Sequence, residues 1–243
     1  MSQVQNDYEG VLLIDKPSGL TSHDVVDRVR RKLKMKRVGH AGTLDPLATG
    51  LLIILVGKAT KLSSRLMSLD KEYEGTFELG KVTNSHDIDG EVTDTFEVSD
   101  TITAEKIQDE MSAFVGDQYQ TPPMFSAVKV DGVPLYKHAR KGKEVEREPR
   151  FIRISKYALL DYEKPFGRFY VYCTKGTYIR SLVHDLGQKL GCGGILTQLR
   201  RTASNNLNLE DAVTLADFEE QPLSSVSKFL MPGFKALSPA IDQ

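Results

Sequence analysis

Gly39-His40-Ala41-Gly42-Thr43-Leu44-Asp45-Pro46-Leu47-Ala48-Thr49-Gly50 is the stretch on which the reading of this chain turns. Three glycines and a proline make it too irregular for a helix or a strand interior, so a shaped loop is expected. Pro46 biases Asp45 toward an extended backbone, and Gly42 and Gly50 permit tight turns or the close approach of a ligand. The apolar run Leu51-Leu52-Ile53-Ile54-Leu55-Val56 follows at strand length and would root the loop in a core. A lone Asp before Pro in a Gly-rich loop is ordinarily a turn former. The alternative is a carboxylate held on a rigid support for chemistry.

The chain has 243 residues, enough for one large domain or a main domain with an insertion. Its 32 Lys and Arg against 33 Asp and Glu give a net charge of -1, which argues against a uniformly cationic nucleic-acid coat. Charge is nevertheless sorted by region. Arg28, Arg30, Arg31, Lys32, Lys34, Lys36 and Arg37 crowd before the loop, and Asp87, Asp89, Glu91, Asp94, Glu97 and Asp100 follow it. Two cysteines, Cys173 and Cys192, without a CxxC suggest neither a disulfide framework nor a zinc site, and the five histidines show no ligand spacing, so no metal is expected. Asp7 and Glu9 stand where a signal peptide needs an apolar core, and no run reaches the length of a membrane span. A cytoplasmic protein with no membrane association is expected.

Around the loop, residues 1–9 read as a polar arm and Val11–Ile14 as a buried strand. Thr21 or Ser22 caps a helix to about Lys34, with Val25, Val26, Val29 and Leu33 on one face and the basic residues on the other. That basic face is either a solvated surface or a phosphate-contacting ridge. Gly57-Lys58-Ala59-Thr60 fails the P-loop spacing, so nucleoside triphosphate binding is not supported. Further strands are expected over Lys71–Gly80, Glu91–Ser99, Phe151–Asp161 and Arg168–Thr174. Helices are expected from a Thr103 cap to about Val115, and from a Thr177 cap to about Leu190. Asp131-Gly132 reads as a hairpin turn, and Tyr136 to Arg150 is basic with few apolar residues. Such a segment is either a surface excursion or an element that orders on a polyanion. The absence of a repeated βαβ rhythm argues α+β with a largely antiparallel sheet.

The twelve residues from Gly39 to Gly50 resemble the signature of the TruB family of tRNA pseudouridine synthases. Lys71-Glu72-Tyr73 with Asp87-Ile88-Asp89-Gly90, Lys175-Gly176-Thr177-Tyr178-Ile179-Arg180, and Leu196-Thr197-Gln198-Leu199-Arg200-Arg201 are similar to its later motifs. The resemblance implies a pseudouridine synthase fold, a curved mixed, largely antiparallel sheet with flanking helices and a central cleft. The activity it implies is isomerisation of uridine to pseudouridine at position 55, in the T-loop of tRNA, without cofactor. It implies Asp45 as the catalytic carboxylate, Arg180 as its cationic partner, and Tyr73 as a base contact placed to assist loss of the C5 proton. His40, Tyr178 and Leu199 would hold the everted nucleotide or fill the space it leaves. Residues at about 121–150 would form a thumb-like RNA-binding insertion, and the partner would be the T-arm stem-loop of tRNA, bound by a monomer. The C-terminal PUA domain of many bacterial members is expected to be absent or reduced. An aspartate-dependent glycosidic hydrolase, which would release uracil, and a tRNA-folding chaperone are the competing readings.

Overall fold

Leu51 to Val56 is apolar at every position and every one of these side chains is buried, as in a strand covered on both faces. The computed structural model describes residues 7–238; the first six residues of the expected polar arm, and Pro239 onward, lie outside them. In chain order the elements are β1 (Gly10–Lys16), α1 (Ser22–Leu33), β2 (Val38–Ala41), β3 (Thr49–Val56), α2 (Ser63–Met67), β4 (Lys71–Leu79), β5 (Lys81–Thr83), β6 (Val92–Thr95) and α3 (Ala104–Ser112). Then come β7 (Gly116–Gln120), β8 (Lys129–Val130), β9 (Val133–Pro134), α4 (Leu135–Ala139), β10 (Arg150–Glu163), β11 (Phe166–Cys173) and α5 (Ile179–Lys189). The chain closes with β12 (Gly194–Ser204), β13 (Leu207–Asn208), β14 (Val213–Thr214), α6 (Leu215–Glu220), β15 (Leu230–Met231) and α7 (Gly233–Ala236). This is the expected α+β class. It divides into two compact units, Met1–Tyr73 with Leu199–Gln243, and Glu74–Gln198.

In the first unit β1 lies antiparallel to β3 from Gly10 opposite Val56 to Lys16 opposite Gly50. The other edge of β3 is shared. β2 pairs antiparallel with Ile53–Val56, and β12 pairs in parallel with Thr49 and Gly50. The loop carrying Asp45 leaves where one neighbour gives way to the other. Val11, Leu13, Leu51, Ile53 and Leu55 share one core cluster with Leu66 and Leu207, while Leu12, Ile14, Leu52 and Ile54 are buried between them in sequence. α1 starts at the Thr21 cap, where the Thr21 hydroxyl accepts the Asp24 N–H and the Asp24 carboxylate accepts the Thr21 N–H, 2.8 Å away. Its far end closes on Lys34 in the left-handed region, φ 54°.

In the second unit β10 is flanked antiparallel by β7 and β11. Ile152, Ile154 and Tyr157 of β10 and Phe169, Val171 and Cys173 of β11 are buried, as are Ile107 and Met111 of α3. Phe114 and Phe169 both meet the Tyr157 ring edge-on. Two expectations change here. Helix α3 stops at Ser112 and Val115 is exposed, because the chain turns at Ala113 into the β7 strand. The strand expected over Glu91–Ser99 is only Val92–Thr95, exposed throughout, since its only partner strand among the described residues is the three-residue β5. Asp131 and Gly132, both at positive φ, make the expected hairpin turn between β8 and β9.

Candidate active site

The Asp45 loop is shorter and better supported than twelve irregular residues would be. Gly39, His40 and Ala41 belong to β2, and Thr49 and Gly50 open β3, so residues 42–48 alone form the loop. Their flanking strands are possible despite the glycines because each pairs with β3 or β12, and the positive φ falls at the ends, Gly42 at 91° and Gly50 at 94°. Ser22 clamps the middle, its hydroxyl taking the Leu44 N–H at 2.8 Å and lying 3.1 Å from the Leu44 carbonyl. Gly19 N–H donates to the Pro46 carbonyl at 2.9 Å, and Ala48 N–H to the Asp45 carbonyl at 3.1 Å.

Two buried cations hold this loop by backbone oxygens. Lys16 is fully buried, and its ammonium donates to the carbonyls of Pro17 at 2.9 Å, Leu20 at 2.7 Å and Pro46 at 3.3 Å, which uses all three of its N–H groups. Burial pushes the Lys16 ammonium down to about 8, while the charges of Asp45 and Asp24 pull the other way. Arg201 is also buried, with Nε 2.7 Å from the Leu51 carbonyl and Nη2 3.0 Å from the Gly42 carbonyl. Neither cation was given a role in the loop by sequence reasoning; the apolar context of Lys16 in Leu-Leu-Ile-Asp-Lys-Pro was the available signal. Arg200, its neighbour, turns the opposite way and makes two contacts with Asp15, the shorter at 2.6 Å. Asp45 itself is half-buried.

His40 on β2, Tyr73 on β4 and Leu199 on β12 belong to the same unit as Asp45. Tyr73 and Leu199 are buried and His40 is half-buried. Burial, with Arg201 and His23 in support, holds the His40 imidazolium below its usual range, so the ring is neutral at neutral pH. The Leu199 carbonyl accepts the Thr49 hydroxyl at 3.4 Å.

Tyr178 and Arg180 belong to the second unit. Tyr178, not Thr177, is the N-cap of α5, because the Thr177 hydroxyl is already bonded to the Thr174 carbonyl at 2.9 Å. The Gln120 amide grips Tyr178 on both sides, accepting its N–H at 2.8 Å and donating to its carbonyl at 3.1 Å. Arg180 is buried rather than on the surface that its place in the first helical turn suggests. Its guanidinium donates to the Ser85 carbonyl at 3.0 Å and the Phe125 carbonyl at 2.9 Å, and lies 3.4 Å from an Asp87 carboxylate oxygen. Asp87 in turn accepts the Ser85 hydroxyl. A buried guanidinium so arranged is fixed in its plane, which a lysine would not be.

The cationic helix is divided between two jobs. Arg28 pairs with Glu219, Lys32 donates to the Glu219 carbonyl at 2.6 Å, and Arg30 bonds Asp27 and the Val38 carbonyl. Arg31, Lys34 and Lys36 are exposed. Among the described residues no group of three His, Cys, Asp or Glu side chains is placed to hold a metal ion, and no helix is long and apolar enough to cross a membrane.

The comparisons with known proteins agree with the motifs. The family model described as TruB family pseudouridylate synthase, N-terminal domain, matches residues 30–179, and the one described as tRNA pseudouridylate synthase B C-terminal domain matches residues 180–237. The tRNA pseudouridine synthase B of Opitutus terrae is 61% identical over 236 residues, covering 97% of this chain and 98% of that protein. Its counterpart in Pseudomonas fluorescens is 44% identical over 241 residues, covering 98% of this chain and 78% of that protein. Among solved structures, a Cbf5-Nop10-Gar1 complex aligns at a TM-score of 0.74 and 30% identity, over 95% of this chain and 62% of the matched one, so this chain spans about three-fifths of that protein's length. With both family models in succession over 30–237, and with the carboxylate loop, the Tyr73 strand and the Arg180 helix folded as discrete supports, the chain belongs to the TruB family of pseudouridylate synthases.

Proposed function

We propose that this chain isomerises uridine to pseudouridine at position 55, in the T-loop of tRNA, with Asp45 as the reacting carboxylate. The observation that carries this reading is the Asp45 loop, pinned by its backbone to buried Lys16 and Arg201 while Asp45 stays half-exposed. The relatives named tRNA pseudouridine synthase B support the same substrate class.

The reaction breaks the bond from C1′ to N1, turns the uracil and joins C5 to C1′, with no net redox change. A carboxylate serves it by adding to the base, attacking C1′ or removing the ribose 2′ proton, and all three require the ionised form. Arg180, buried and fixed in its plane, supplies the compensating guanidinium. The target base leaves its stack, at a cost of a few kcal/mol. Tyr73, Tyr178 and Leu199 then hold it, His40 occupies the vacated space as a neutral ring, and Tyr73 assists removal of the C5 proton. The segment at 121–150, exposed over most of its length, closes on the stem as a thumb. The protein acts as a cytoplasmic monomer without metal or cofactor.

Incubation with an unmodified T-arm stem-loop, followed by nucleoside analysis, tests the proposal. Pseudouridine at the target position is the expected product; free uracil would identify a glycosidic hydrolase, and unchanged uridine on bound RNA would overturn the isomerase reading.

A further inference from the structure

His86 and His184 stack in the second unit, with ring centroids 3.9 Å apart and planes within 3° of parallel. Their neighbours in sequence make this contact informative. His86 precedes Asp87 in the loop between β5 and β6, and His184 stands four residues after Arg180, one turn along α5. Two adjacent loop residues therefore meet two helix residues one turn apart, by an ion pair at Asp87–Arg180 and by a ring stack at His86–His184. The loop has little slack between these points. His86 is held at φ 65°, its carbonyl accepts the Leu196 N–H at 3.1 Å, and Ile88 N–H donates to the Leu196 carbonyl at 2.9 Å. A Cβ on Gly90 would lie 2.2 Å from the Ser85 hydroxyl, so the turn is closed against itself.

The Nδ1 atoms of both rings are buried without a hydrogen-bond partner among the described residues, so those nitrogens do not fix the rings. The rings lie face to face. The charged groups facing the stack are Arg180 and Asp185 from α5 and Arg147 from the stretch after α4, with Asp87 beside it on the loop.

We propose that His86 and His184 are positioning residues for the pseudouridine-forming reaction: their stack sets the loop so that Asp87 and the Ser85 carbonyl orient the Arg180 guanidinium. This inference rests on the proposed function for its catalytic consequence and on the fold alone for its structural one.

Two measurements on the full chain separate them. In His184→Ala, hydrogen exchange at the Ile88 and Leu196 amides should quicken about tenfold or more while amides of α3 keep their protection. With unmodified T-arm RNA, kcat for pseudouridine formation should fall about tenfold or more, with KM changed less than about twofold. His184→Phe, which keeps a flat ring, should restore both to within about threefold of the parent. Unchanged exchange in the Ala variant overturns the loop-setting role. Quickened exchange with unchanged kcat overturns the link to Arg180, and failure of Phe to rescue overturns stacking as the cause. If the parent itself forms no pseudouridine the functional reading falls, and the exchange result alone then decides whether the stack sets the loop.

Discussion

Arg201 and Gly50 are register partners where β12 lies parallel to β3, and a Cβ on Gly50 would stand 2.3 Å from the Arg201 carbonyl oxygen and 2.9 Å from its amide nitrogen. Backbone atoms cannot swing aside as a side-chain tip can. Gly50 is also at φ 94°, where an L-residue is strained. Gly50→Ala should therefore destabilise the chain by about 2 kcal/mol or more, read from the denaturant midpoint at constant slope. A shift below about 0.5 kcal/mol would show that β12 can move off β3 at little cost.

Asp45→Asn keeps the size of the side chain but not its charge. The oxygens of Gly42, Leu44 and Pro46 still hold the loop, and the lost attraction between Asp45 and the buried Lys16 ammonium should lower the denaturant midpoint by about 1 kcal/mol at most. Pseudouridine formation should fall by about a thousandfold or more while RNA binding persists. Turnover near the parent level would remove Asp45 from the chemistry.

Lys16 gives the stability curve an alkaline feature. Its folded ammonium releases a proton at about 8, against about 10.4 in the unfolded chain, so between those values the unfolded state holds more protons. The contribution of this group to stability therefore rises with pH over about 8 to 10.4 and is flat below. Lys16→Met should abolish that rise relative to the parent. It should also loosen the Pro17, Leu20 and Pro46 carbonyls and lower stability at neutral pH by about 2 kcal/mol or more. Denaturant midpoints measured at several pH values in both proteins check the sign.

The histidine stack shapes the acid side. Burial first, then His184, Arg180 and Arg147, pushes the His86 imidazolium down to about 3; burial lowers His184 as well, opposed by Asp185. The unfolded histidines protonate below about 6.5, so stability falls as pH drops from there toward the folded values, by up to about 1.4 kcal/mol per pH unit for each ring. His184→Phe should flatten this limb below about pH 6.5 by the share of one ring. An unchanged limb would mean that the His184 ring is already charged in the fold.

Local signals were legible in the sequence where one element decides the outcome. The Leu51–Val56 run, the Thr21 and Thr103 caps and the Asp131-Gly132 turn each depend on a few contiguous residues, and each is in place. What was not legible depends on long-range pairing. Thr177 reads as a cap until the Thr174 carbonyl takes its hydroxyl, and Gly39–Ala41 reads as loop until β3 offers it an edge. The apolar context of Lys16 hints at burial but not at Pro46, 30 residues on, and Asp87 has its role from Arg180, 93 residues away.

The same limit explains the basic helix, whose composition alone cannot say which cations are free to meet phosphate. Arg28, Arg30 and Lys32 are engaged with Glu219, Asp27 and the Val38 and Glu219 carbonyls, while Arg31, Lys34 and Lys36 face outward. Replacing the three exposed residues together with alanine should weaken binding of T-arm RNA and lower the salt slope of log K by about one for each phosphate no longer neutralised, at nearly unchanged stability. Replacing Arg28 and Lys32 should do the reverse, reducing stability by about 1 kcal/mol with a smaller change in slope, because these two side chains tie α1 to Glu219 of α6. Titrations at several salt concentrations, paired with denaturant midpoints, distinguish the two sets; equal slopes for both would place the RNA elsewhere on the molecule.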